Sequence, residues 1–179
     1  LTSFDVLKNI FKTFIESDSD CLFPYSIPYY YDIFALRKQG WVKNNNIYTS
    51  KKIKNKIIFF SFLINYFLIF RKQKHIKKFK QEFISVESAF GGIGMYKVSR
   101  ELLKKSKYLT NVNNEDMFSE HIYFNQNFEK LYISTKWNIE SPKEYTFFNS
   151  FSLNEKVEYV LKTFKNDLKT FYKKIKNES

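Results

Sequence analysis

The chain has 179 residues and a mass of 21.7 kDa, room for one domain with a sizeable core and too little to expect two. Hydrophobic residues make up 44%, aromatics 20% and charged residues 27%, which excludes a disordered or collagen-like chain. The net charge of +12 comes from 30 bases against 18 acids, but 27 of those bases are Lys. Base-reading proteins lean on Arg for bidentate contacts to guanine, so a charge built on Lys argues against a dedicated nucleic-acid surface.

From Ser3, the apolar residues Leu7, Ile10, Phe11, Phe14 and Ile15 recur at three and four positions with Asp5 near the start, which predicts an amphipathic helix. Asp18-Ser19-Asp20 breaks it. Cys21 to Phe23 reads as a short strand ended by Pro24 and Pro28. Tyr29 to Arg37 is aromatic and apolar with one acid and one base, a strand or strand-to-loop segment closed by Lys38-Gln39-Gly40-Trp41.

Between Lys51 and Lys80 lie ten bases and no acids, as two basic flanks around an apolar run from Ile57 to Phe70. Fourteen residues, with Ser61, Asn65 and Tyr66 among them, fall short of the roughly 20 that a spanning helix needs. A buried helix and an interfacial one, with its Lys against anionic head groups, both remain open.

Phe83 to Val86 alternates like a strand and leads into Phe90-Gly91-Gly92-Ile93-Gly94. Three of the four glycines in the chain fall there, marking a tight turn or a close approach to the backbone. A helix is expected over Ser99 to Lys107, a loop over Thr110 to Glu115, a helix from near Ser119 and a strand over Leu131 to Ser134. Ser152 and Glu155 form a capping box. After it, Leu153, Val157, Val160, Leu161, Phe164, Leu168, Phe171 and Ile175 make an apolar stripe, predicting a C-terminal amphipathic helix over 152–177 that packs back on the domain with its Lys-rich face in water.

Much common chemistry is excluded. One cysteine, Cys21, makes no internal disulfide and no cysteine-based metal site, and fits a reducing, cytoplasmic setting. Two histidines, His75 and His121, make no zinc helix, and His75 sits among Lys where a solvated role is expected. Neither a phosphate-binding Gly-x-x-x-x-Gly-Lys loop, nor dinucleotide-binding glycine spacing, nor a Gly-x-Ser-x-Gly elbow occurs. What remains is Asp32 in an aromatic segment, the turn at Gly91 and Gly92, and the pair Glu120 and His121. Each has an ordinary structural reading as well: Asp32 as a cap or an Arg37 partner, the glycines as a plain turn, Glu120 as a helix-start acid.

Taken in order, three blocks resemble the nucleotide-sugar-dependent glycosyltransferases of the GT-A fold, in particular the branch of the cryptococcal-type capsular mannosyltransferases. They are Tyr30-Tyr31-Asp32-Ile33-Phe34-Ala35-Leu36-Arg37, then Ser88-Ala89-Phe90-Gly91-Gly92-Ile93-Gly94-Met95-Tyr96-Lys97, then Glu120-His121-Ile122-Tyr123-Phe124-Asn125 with Leu131-Tyr132-Ile133-Ser134 after it. The resemblance covers roughly residues 20 to 145.

It implies an α/β, Rossmann-like GT-A domain, truncated at its N-terminus, with residues 1–179 forming the C-terminal two-thirds of a single domain. The implied activity is transfer of a hexose from a nucleotide sugar to a glycan or lipid-linked acceptor, as in polysaccharide biosynthesis, with peripheral membrane contact. By the same resemblance Glu120 is the base or acceptor-orienting acid and His121 its partner, or a diphosphate or metal contact. Tyr31, Asp32 and Arg37 lie on the donor side, and Phe90, Gly91 and Gly92 on the acceptor side. A divalent metal, Mn²⁺ or Mg²⁺, is implied at the diphosphate. Asp18-Ser19-Asp20 has the letters of the family's Asp-x-Asp motif but lies too close before Tyr30; it reads as a helix-terminating acidic loop, and the main metal ligands are expected upstream of Leu1. The rival expectation is a non-enzymatic basic module that binds anionic membrane or nucleic acid through residues 51–80.

Overall fold

The computed structural model describes residues 3–43, 46–57, 60–73, 80–105 and 119–178. The expectations for His75, the loop 110–115 and residues 116–118 lie outside the described residues, as does part of the second basic flank, 74–79. In chain order the elements are α1 (Phe4–Glu16), β1 (Cys21–Ile27), α2 (Asn46–Lys56), α3 (Ser61–Asn65), a π-helical turn (Tyr66–Phe70) and α4 (Arg71–Gln73). There follow β2 (Phe83–Val86), β3 (Met95–Tyr96), α5 (Arg100–Lys105), α6 (Glu120–Asn125), β4 (Leu131–Glu140), α7 (Lys143–Ser150) and α8 (Leu153–Glu178).

The fold is mixed α/β, with a four-stranded sheet in the order β2-β4-β1-β3 and a long C-terminal helix. β1 and β4 pair in parallel at the centre, and β2 and β3 flank them antiparallel. β1 continues through Pro24, which sequence pattern takes as its end. The register passes from Pro24 opposite Ser134 to Tyr25 opposite Asn138, so residues 135–137 of β4 bulge out beside the residue that has no N–H to donate.

Alternation along β1 decides the two layers. Cys21, Phe23 and Tyr25 join a core with Tyr30, Trp41 and Phe124, while Leu22 points the other way to Ile10, Phe14 and Trp137. α1 covers that second face, its first turn capped by Ser3 Oγ accepting from the Val6 N–H. Only Ile10 and Phe14 of its stripe are buried; Phe11 and Ile15 remain in solvent. The first face is covered mainly by the segment from Tyr30 to Val42, a loop rather than a strand. Asp32 Oδ1 accepts from the Ala35 N–H at 3.2 Å and folds the chain back, yet Tyr30, Ala35 and Leu36 are fully buried. Burying each large side chain there contributes roughly 1.5–3 kcal/mol.

The apolar run from Ile57 is not one helix. Phe60 takes a left-handed backbone (φ 76°), after which α3, the π-turn and α4 follow one another. Among the described residues no helix is long and apolar enough to cross a membrane. α8 starts at the predicted capping box, with Glu155 Oε2 accepting from the Ser152 N–H at 2.7 Å. Its packing differs from expectation. Tyr159 sits among Phe62, Phe70 and Phe148, and the buried Asp167 accepts from the Ser61 N–H at 3.1 Å, whereas Leu161 is 64% exposed and Phe164 55%. At about 100° per residue, the apolar stripe lies about a quarter-turn or more away from the side that meets the body.

Candidate functional site

A cavity of about 740 Å³ opens between the loop at Tyr31 to Phe34, the α3–α4 segment and the start of α6. Its position follows from hydrogen bonds that tie together three distant parts of the sequence. The Arg37 N–H donates to Ser88 O at 2.8 Å and the Glu87 N–H to Arg37 O at 2.8 Å, joining the loop to the strand exit after β2. Tyr30 Oη donates to Phe90 O at 3.1 Å. Asn125, fully buried on α6, donates through Nδ2 to Ser88 Oγ at 2.9 Å and Ala89 O at 2.8 Å. Losing one such buried donor leaves acceptors unpaired, at about 1–3 kcal/mol.

These ties bring Tyr31, Asp32, Phe90, Glu120 and His121 into one lining. His121 stacks on Phe90 with ring centroids 3.6 Å apart and planes 13° apart, and its Nε2 lies 3.6 Å from Glu120 Oε1. Burial holds the His121 imidazole below its ordinary pKa, with the Glu120 carboxylate opposing, so the ring sits toward its neutral form at pH 7. Burial pushes Asp32 up to about 6, opposed by the Ala35 N–H and reinforced by the Glu120 charge. Asp32 is closely enclosed by protein yet keeps part of its surface open to the cavity. Asp32 with its raised pKa and the His121 imidazole, biased to its neutral form, stand on one wall beside Glu120, residue types suited to proton transfer.

Arg37, Gly91 and Gly92 are not in the lining. Arg37 is buried and its Nη1 donates to Phe34 O (3.1 Å) and Leu36 O (2.7 Å), so it pins the loop from behind. Gly91 packs on β1, where a Cβ would stand 3.1 Å from Pro24 Cγ. Gly92 has φ +84°, and a Cβ there would come within 2.9 Å of Tyr31 Oη. The glycine turn thus supports Tyr31 rather than facing the cavity itself.

Sequence pattern misses the opposite wall. Lys54 of α2, Asn65 of α3, Gln73 of α4 and Tyr145 of α7 line it. Lys54 Nζ donates to Asn65 Oδ1 at 3.1 Å, and burial lowers the pKa of its ammonium. Gln73 Nε2 donates to Tyr145 O at 2.7 Å and Tyr31 O at 3.3 Å, holding two segments whose tyrosine rings stack 5.7 Å apart. One signal was available: Asn65 is a polar residue inside an apolar run, and such a residue commonly faces a partner or a cavity. Nothing local marks Tyr145.

Asp18 and Asp20 lie elsewhere. Asp20 Oδ2 accepts from the backbone N–H groups of Glu129 (3.0 Å) and Lys130 (2.9 Å), and Asp18 pairs with the Lys130 ammonium. Their carboxylates secure the turn before β4, in keeping with a helix-terminating loop. Among the described residues no three His, Cys, Asp or Glu side chains gather to hold a metal ion. Asp32, Glu120 and His121 line one cavity without forming such a set.

No family model matches the chain, and no curated protein or solved structure does so.

Proposed function

We propose that this cavity is the catalytic site of a GT-A-type glycosyltransferase, transferring a hexose from a nucleotide sugar to a hydroxyl of a glycan or lipid-linked acceptor. The observation that carries the reading is the meeting of Asp32, Phe90 and the Glu120–His121 pair in one lining, although up to 88 positions separate Asp32 from Glu120. These are the three blocks on which the family resemblance rests.

In this reading the Glu120 carboxylate takes the proton of the acceptor hydroxyl as the new C–O bond forms at the anomeric carbon and the bond to the nucleotide diphosphate breaks. His121, stacked on Phe90, fixes the direction of Glu120. The stacked pair of Tyr31 and Tyr145 offers an apolar face to a sugar ring or a base. Asp32 hydrogen-bonds sugar hydroxyls, and Lys54 offsets charge building on the departing diphosphate. A divalent cation at the diphosphate belongs to the same family reading, where it would offset the charge of the leaving group.

The test is turnover of nucleotide sugars by the protein in the presence of Mn²⁺, together with its thermal shift on adding nucleoside diphosphates. Glu120→Gln is expected to lower transfer by about 10²–10⁴-fold while keeping the diphosphate-dependent shift. Unchanged turnover removes Glu120 from the mechanism. Absence of both turnover and shift across the common nucleotide sugars ends the glycosyltransferase reading.

A further inference from the structure

The longest helix of the molecule turns its most apolar side away from the body. Val157, Leu161, Phe164 and Ile175 of α8 are all about half exposed or more, and Val157 to Ile175 spans about 27 Å of helix. The stripe does not end at α8: an apolar-lined groove of about 330 Å³ joins Val160 and Phe164 to Phe60 and Leu63 at the start of α3. We propose that this stripe and groove are a docking surface for an anionic phospholipid membrane. The proposal goes beyond the activity above and does not depend on it.

Charge placement selects the occupant. By helical position the exposed Lys165, Lys169 and Lys176 lie along one flank of the stripe, with Glu158 at its N-terminal end, and Lys174 lies on the other. Between Asp167, which is buried at the start of α3, and Glu178 there are four lysines and no acid. Lysine stems lying beside an apolar stripe carry their ammonium groups up to the phosphate level as the stripe enters the acyl boundary. A second copy docked in parallel, stripe to stripe, would set the flank of Lys165, Lys169 and Lys176 against the flank of Lys174, a like-charge arrangement that weakens helix pairing.

Co-sedimentation of the protein with vesicles of phosphatidylcholine alone, and of phosphatidylcholine mixed with phosphatidylserine, tests this at low and high salt. Binding is expected to the phosphatidylserine vesicles, weakly or not to the others, and to fall as salt rises. The double substitution Leu161→Glu with Phe164→Glu is expected to lower partitioning by roughly tenfold or more with an unchanged melting midpoint, since both side chains are exposed. Lys165→Gln, Lys169→Gln and Lys176→Gln together are expected to lower it by on the order of a hundredfold. Three results overturn the proposal: no binding to phosphatidylserine vesicles, binding that ignores the Leu161 and Phe164 substitutions, or a dimer in sedimentation equilibrium that the same substitutions dissolve.

Discussion

The loop from Tyr30 to Val42 and the helix α8 invert the usual pairing of regularity with burial. The loop has almost no repeating backbone structure, yet Tyr30, Leu36, Trp41 and Val42 are buried at or below 1% exposure. α8 is regular over 26 residues, and Leu153 is 77% exposed. Backbone hydrogen bonding is local and can be complete in a helix that touches little. Burial depends on what other segments arrive, and here they arrive at the loop. Trp41 Nε1 donates to Lys72 O at 2.9 Å and Tyr30 Oη to Phe90 O at 3.1 Å, so the polar ends of these two buried aromatics are satisfied.

The contrast breaks hardest at Trp41. Trp41→Ala is expected to cost about 3–5 kcal/mol in urea unfolding, because a large cavity opens in the main core. A loss below about 1 kcal/mol would mean that the loop is not a structural part of that core.

Next comes the pH profile of stability. Asp32 has a folded pKa raised from 3.8 to about 6, so the folded state binds the proton more tightly than the unfolded state. Its protonation stabilises the fold fully below about pH 4, and that contribution is lost as pH rises through about 6, up to roughly 3 kcal/mol. Asp32→Asn is expected to flatten this fall between pH 4 and 6; an unchanged profile would place the carboxyl in ordinary solvent.

Gly92→Ala is a smaller perturbation of the same wall. The left-handed backbone disfavours a side chain, and the new methyl meets Tyr31 Oη, together costing roughly 1–2 kcal/mol by thermal unfolding. On the helix side, Leu161→Ala should stay within about 0.5 kcal/mol of the parent in the same assay. A loss comparable to that of Trp41→Ala would show that the stripe is covered within the folded chain and erase the contrast between the two regions.

Some of this was legible in the residues. Helical spacing marked α1 and α8, the capping box fixed where α8 begins, and alternation marked β2. Proline misled at β1, because a break in the ladder at Pro24 could be absorbed by a bulge in a partner strand more than 100 positions away. The Tyr29 to Arg37 segment was ambiguous because aromatic and apolar residues suit a strand and a buried loop equally, and only the Asp32 turn separates the two. At the cavity, Asp32, Phe90, Glu120 and His121 could be singled out as residue types, while Gln73 and Tyr145 could not, since their roles exist only where α4 meets the loop and α7.

Composition, charge and hydrophobic period were enough to set a folded chain with amphipathic helices at its ends, short strands between them, a lysine-dominated charge and a short set of chemistry-bearing residues, because those properties belong to neighbours along the backbone. Which side of α8 meets the body, where Arg37 spends its guanidinium and which groups share a hollow were decided by the tertiary structure alone. They depend on long-range hydrogen bonds such as those from Asn125 and Gln73, whose partners lie 36 or more residues away in sequence and become partners only once the sheet and loop have closed.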